Sequence, residues 1–173
     1  MPLATKRARR LKFLAGLTGL VGLTLLAAGV TLSAAAPSGK ALPPLQPWVD
    51  VTPTGGLLRI PAGTYAGPVV IDRPMTIDGE GKVTLDGADH GTVLSIKTDN
   101  AIIRNLRIIR SGTSHDRIDS GILVEGNHNR IESNQVEDVL FGITLQRAND
   151  NLVANNTIRS KPWDIADRGD GLR

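Results

Sequence analysis

The chain contains no cysteine in its 173 residues, which excludes disulfides, thiolate metal sites and a cysteine nucleophile. Aromatic residues make up only 3% of it, so Ile, Val and Leu have to fill any core, and sugar rings or bases would find few stacking platforms. Met75 is the only methionine after the initiator, which leaves no methionine-rich copper site. No Gly-rich loop ends in Lys-Ser or Lys-Thr, so ATP hydrolysis would have to be supplied by another protein. Acidic residues are missing from the first 36 positions, and that absence locates the positive charge.

Those positions hold five cations (Lys6, Arg7, Arg9, Arg10 and Lys12), an apolar stretch from Phe13 to Leu32, and Ser33-Ala34-Ala35-Ala36 before Pro37. The order of charge, apolar run and small residues is that of a bacterial export signal over residues 1–36, with cleavage expected after Ala36. The apolar stretch is near the roughly 20 residues that span a bilayer, so retention as an uncleaved anchor is the alternative. Arg9-Arg10-Leu11-Lys12-Phe13-Leu14 is similar to a twin-arginine signal, but the shifted order after the pair favours ordinary secretion. Removing the five leader cations from the formal +3 leaves −2 for residues 37–173. No basic stripe remains, and nucleic acid is excluded as a partner.

Hydrophobic triplets recur along the rest. They are Ile71, Ile77 and Val83; Ile96, Ile103 and Ile108; Val124, Ile131 and Val136; and Leu145, Val153 and Ile158, with Leu172 opening a fifth set. Three short strands per set describe an all-β fold, a right-handed parallel β-helix over residues 58–173 with about four coils plus the start of a fifth. Residues 37–57 read as lead-in and cap, with a short helix or cap from Trp48 to Thr54, because a solenoid must cover its open end. The segment Asn129 to Val136 lies over Asn151 to Ile158, placing Asn129 on Asn151 and Asn134 on Asn156. At an inter-strand spacing of roughly 4.8 Å, such pairs are expected to form side-chain ladders. A ladder left open at Leu172-Arg173 would present unpaired backbone groups, so the solenoid is expected to be truncated at its C-terminus.

Coil spacing is uneven, and insertions in repeat proteins gather on one face, often the binding face. Two long loops, Ser111 to Ser120 and Ser160 to Asp170, are expected to leave the same corner. Their roots lie two coil spacings apart, roughly 10 Å, so their side chains can meet over the short corner at Glu137 to Phe141.

Several segments together resemble the NosD family, the periplasmic maturation protein of nitrous oxide reductase. They are Leu-Arg-Ile-Pro-Ala-Gly-Thr-Tyr at 58–65, Gly-Pro-Val-Val-Ile-Asp at 67–72, Ser-His-Asp at 114–116, Gly-Ile-Leu-Val-Glu-Gly at 121–126, Glu-Asp-Val-Leu-Phe-Gly-Ile at 137–143, and Arg-Ser-Lys-Pro leading to Arg-Gly-Asp-Gly within 159–171. The resemblance covers almost everything after the leader, on the N-terminal part of the family's length. It implies a non-catalytic accessory that works with a membrane ABC transporter and a copper lipoprotein chaperone to assemble the copper centres of nitrous oxide reductase. Copper would reach the site through that partner system.

The candidate partner-binding residues are His115, Asp116 and Asp119 in the first loop and Trp163, Asp164, Asp167 and Asp170 in the second. Imidazole suits copper, which makes His115 with Asp116 the tentative metal ligands, although they form no recognised ligand motif. Contact with a partner protein and loop-ordering hydrogen bonds are the other readings of that cluster. His90 and His128 fall in expected turns. Two of the second loop's aspartates, or Asp119 with Asp170, would be the acid and base of a polysaccharide-cleaving enzyme, which needs carboxyl groups roughly 5–10 Å apart. The fold shared with polysaccharide lyases supports that alternative only by analogy. A structural surface repeat protein, in which loop substitutions are silent, is the third reading. In Arg168-Gly169-Asp170-Gly171 the glycines are read as a tight return into the next strand.

Overall fold

Period-two alternation of buried and exposed residues organises this computed structural model, which describes residues 41–173. Val69–Ile71 reads buried, exposed, buried, and Leu57–Arg59 reads the reverse, as strands do when one face meets a core. The expected leader over residues 1–36 and its cleavage point lie outside the described residues.

The strands wind in about five turns. Coil one holds β1 (Leu57–Arg59), β2 (Gly63–Ala66) and β3 (Val69–Ile71), and coil two holds β4 (Thr76–Asp86), a long strand that supplies two sides, and β5 (Leu94–Ile96). Coil three holds β6 (Ile102–Ile109) and β7 (Ser120–Val124); coil four holds β8 (Arg130–Glu132), β9 (Gln135–Val139) and β10 (Phe141–Leu145). Coil five holds β11 (Leu152–Ala154) and β12 (Thr157–Ser160), and Leu172 closes it with a single bridge to Ile143. All pairings are parallel between successive coils. The first side runs β1-β4-β6-β8-β11, and the third side runs β3-β5-β7-β10.

Inward side chains stack in columns. Leu58, Ile77, Ile103, Ile131 and Val153 share the first side, and Ile71, Ile96, Val124 and Leu145 share the third. The inner members of these columns are fully buried, and each such side chain contributes about 1.5–3 kcal/mol. Coil five has one neighbour, and Val153 and Ile158 are only partly buried there. At the other end α1 (Gln46–Val51) lies over coil one with Leu45 and Val49 buried beneath it. The cap expected from Trp48 to Thr54 is therefore a helix that begins two residues earlier.

The second side corrects one triplet. Val83 pairs with Leu106, and it is Leu85 that stands in line with Ile108, Val136 and Ile158. The cause is a register shift between Asp78 and Val83, where coil two carries Gly79-Glu80-Gly81-Lys82 and coil three turns on Asn105 alone. A side chain at Gly79 would strike the Asn105 carbonyl. The same turn in later coils rests on Ser133 and Asn155, which with Asn105 hold φ values of 55–56°. Short polar side chains tolerate that left-handed conformation best.

The Asn pairs stack as expected but bond differently. Asn134 accepts from the Leu106 N–H (3.0 Å) and donates to the Ile103 carbonyl (3.0 Å), both in the coil before, and its own N–H donates to Asn156 Oδ1 (2.9 Å). Asn129 does the same with the Ala101 N–H (2.7 Å), the Thr98 carbonyl (2.9 Å) and Asn151 Oδ1 (2.8 Å). The side chains thus bond mainly to backbone groups of the coil before; the side-chain contact from Asn134 to Asn156 at 3.0 Å is secondary.

Candidate functional site

The corner between the second and third sides differs in length from coil to coil while the strands on either side stay paired. Coil two leaves it through Gly87 to Val93, coil three through Arg110 to Asp119, and coil five through Lys161 to Gly171; coil four crosses it at Leu140 alone. The two long loops therefore leave the same corner on either side of a short one.

Phe141, the first residue of β10 beside that short corner, is where they converge. The His115 ring meets the Phe141 ring edge-on at 5.6 Å between centroids, and the Arg173 guanidinium lies 4.9 Å from the same ring. Gly169 passes so close to Phe141 and the Leu140 carbonyl that no side chain would fit there. The Asp170 carbonyl accepts from the Gly142 N–H at 3.0 Å.

Charged groups tie the loop roots across four coils. Arg110 grips Asp86 in a two-point ion pair, Nε to Oδ1 at 2.8 Å and Nη2 to Oδ2 at 2.5 Å, and stands 3.9 Å from Asp89. Lys161, only 4% exposed, reaches back to Asp89 at 2.9 Å and to Asp138 at 3.4 Å, with the Trp163 ring 5.9 Å from its ammonium. Burial pushes the Asp86 carboxyl up, but the Arg110 guanidinium and the Ala88 N–H outweigh it and hold the pKa below the ordinary carboxylate value. The hydrogen bond to Asp86 in turn raises the pKa of Arg110.

The predicted residues divide by exposure. His115, Asp116, Asp164, Asp167 and Asp170 are exposed at the loop surfaces, and Trp163 is half-buried. Asp119 is not on the surface: at 1% exposure it accepts from the Ser114 N–H at 2.9 Å and from Arg117 at 3.3 Å, folding its own loop. It is committed inside the chain and offers no carboxylate to a partner or, with Asp170, to a substrate. His90 and His128 are exposed, and His128 holds a left-handed turn at φ 55°. Arg110, Lys161 and Ile165 were not singled out by the sequence. Lys161 gives no local signal because its partners lie 23 and 72 residues away.

The family model described as "Periplasmic copper-binding protein (NosD)" matches residues 75–167, which is more than half of the chain and includes the first loop and the second as far as Asp167. This chain belongs to the NosD family. Two NosD relatives share the name "Probable ABC transporter binding protein NosD". The one from Pseudomonas aeruginosa is 29% identical over 120 residues, covering 68% of this chain and 28% of the relative. The one from Stutzerimonas stutzeri is 26% identical over 155 residues, covering 88% of this chain and 34% of the relative. The chain thus spans about a third of the length of these curated NosD relatives. No solved structure matches it.

The copper in the NosD description can be tested against the side chains. Among the described residues, no three His, Asp or Glu side chains converge as metal donors. His115 packs on Phe141, Asp119 is occupied by its own loop, and Met75 is buried in the core. These residues do not fit a resident copper ion. Among the described residues no helix is long and apolar enough to cross a membrane.

Proposed function

We propose that this NosD-family chain is an exported, non-catalytic docking protein that helps assemble the copper centres of nitrous oxide reductase beside an ABC transporter and a copper lipoprotein chaperone. The observation that carries the reading is the convergence of the two long loops at Phe141, a residue of the segment that matches the family. A rigid face of this kind loses little conformational entropy on binding. Copper is the cargo of the partner system, and energy comes from the transporter's ATPase.

The role is tested in cells lacking this gene, by the copper content and activity of the purified reductase. A copper-poor, inactive reductase, restored on return of the full reading frame, is the expected result. A fully loaded reductase in the deletion would reject the role.

Within the reading, the exposed pair His115 and Asp116 contacts the partner. Replacing both with Ala is expected to weaken binding to the detergent-solubilised transporter about tenfold, equivalent to roughly 1.4 kcal/mol, without changing the urea midpoint. Unchanged affinity with an intact fold would remove these residues from the interface.

One observation favours the polysaccharide alternative. Because coil two overhangs at Gly81 and Lys82, it walls a groove of about 300 Å³ lined also by Thr84, Asn105, Arg107 and Gln135. Such side chains can hydrogen-bond a sugar, but the groove has no aromatic platform to stack one.

A further inference from the structure

Large apolar side chains left exposed in the described residues fall on the lead-in, the α1 cap and the first coil, and on coil five, whose corner loop carries Ile165. Ile165 is the most exposed of them at 87%. It stands in the three-residue 3-10 turn Ile165–Asp167 at the outer part of the second loop, away from the core that the other coils share.

The loop holds this side chain out on a fixed base. The Lys161 N–H donates to the Val139 carbonyl at 3.0 Å, and its ammonium is buried between Asp89 and Asp138. Arg168 Nε donates to the Trp163 carbonyl at 2.6 Å across the turn, and the Asp167 N–H donates to the Asp164 carbonyl at 2.9 Å. At the far end Asp170 is bonded to Gly142. An apolar residue displayed this way gains little within the fold, but it has already lost the freedom that binding would otherwise remove.

Its surroundings define what it can enter. Asp164 and Asp167 flank Ile165, Asp170 follows, and all three are exposed. Arg168 is the one exposed cation of the loop, since the Lys161 charge is turned inward against Asp89 and Asp138. The loop therefore offers an apolar knob with an acidic rim.

We infer that Ile165 is the anchor of the docking face and inserts into an apolar pocket bordered by Lys or Arg side chains on a protein partner. The inference rests on the docking role proposed above. An apolar anchor ringed by polar contacts is the usual arrangement of a small binding hot spot, and the acidic rim matches a basic border.

The test uses the full chain and, as probe, the ABC transporter reconstituted in lipid vesicles, with empty vesicles of the same lipid beside it. Ile165→Ser is expected to weaken binding by roughly 10–100-fold, the loss of one buried aliphatic contact, with an unchanged urea midpoint. Asp164→Asn with Asp167→Asn is expected to weaken binding several-fold at low salt and to flatten its salt dependence. If the wild-type chain binds the transporter and Ile165→Ser binds equally well, the anchor is refuted and the docking role stands. No binding by the wild-type chain would overturn both. Equal binding to the empty vesicles would replace the protein pocket by a lipid surface and refute the inference.

Discussion

Replacing Arg110 with Met is expected to lower the unfolding free energy by about 2–4 kcal/mol at pH 7, and by much less in acid. Asp86 is 5% exposed, and its two oxygens receive the guanidinium of Arg110. Removing one member of such a pair strands the other charge out of water, which costs several kcal/mol when both are buried and less here because Arg110 is partly exposed. The pH dependence follows from the direction of the shift. In the wild-type chain the folded-state pKa of Asp86 is depressed. Its contribution to stability is therefore present above the unfolded carboxylate value of about 4 and is lost as pH falls through the lower folded value. In the variant the Ala88 N–H still bonds Asp86 but the larger compensation from the guanidinium is gone, so the carboxyl pKa rises relative to the wild-type chain and protonation relieves the stranded charge. The gap between the two proteins should narrow as pH falls from 7 toward 3, as read from urea titrations at several pH values. A gap that stays constant over that range would show that the loss is one of packing rather than of charge.

Asn134→Ala is expected to cost about 2–5 kcal/mol, whereas Asn149→Ala should cost well under 1 kcal/mol. Asn134 is 1% exposed, and its removal takes the side-chain partner from both the Leu106 N–H and the Ile103 carbonyl inside the stack; a buried group left unsatisfied costs about 1–3 kcal/mol. Asn149 occupies an exposed turn, and its amide donates to Asn127 Oδ1 at a longer 3.3 Å, so water can replace that bond. Urea midpoints with unchanged slopes compare the two directly. Equal losses at both positions would mean that the buried Asn columns add no cohesion beyond that of an ordinary turn.

Much of the fold was legible because a parallel stack repeats its demands. Ile77, Ile103 and Ile131 occupy equivalent places, and each must be apolar for the same reason, so their spacing carries the coil length. On the second side spacing alone puts Val83 where Leu85 stands, because four residues in coil two do the work of one in coil three, and a local insertion shifts the spacing without changing hydrophobicity. The common corner of the two long loops followed from coil lengths. Which of its residues face water did not: Asp119 looks in sequence like its neighbour Asp116, and only its bonds to Ser114 and Arg117 turn it inward. Lys161 is invisible for a related reason, since burial of its ammonium depends on carboxylates from two other coils. Ile165 could be read as another core residue of a β-rich chain; its exposure depends on how the loop is fastened at both ends.

Coil four crosses the corner at Leu140 alone, between neighbours that do not. The two long loops therefore close over coil four, and Phe141, itself buried, is covered by both: by the His115 ring from one and by the Gly169 backbone from the other. A partner that reads both loops meets them as one joined face rather than as two prongs. Lengthening coil four by a few residues would wedge the loops apart without touching any strand, so the face offered to a partner is set by the shortest corner as much as by the two long ones.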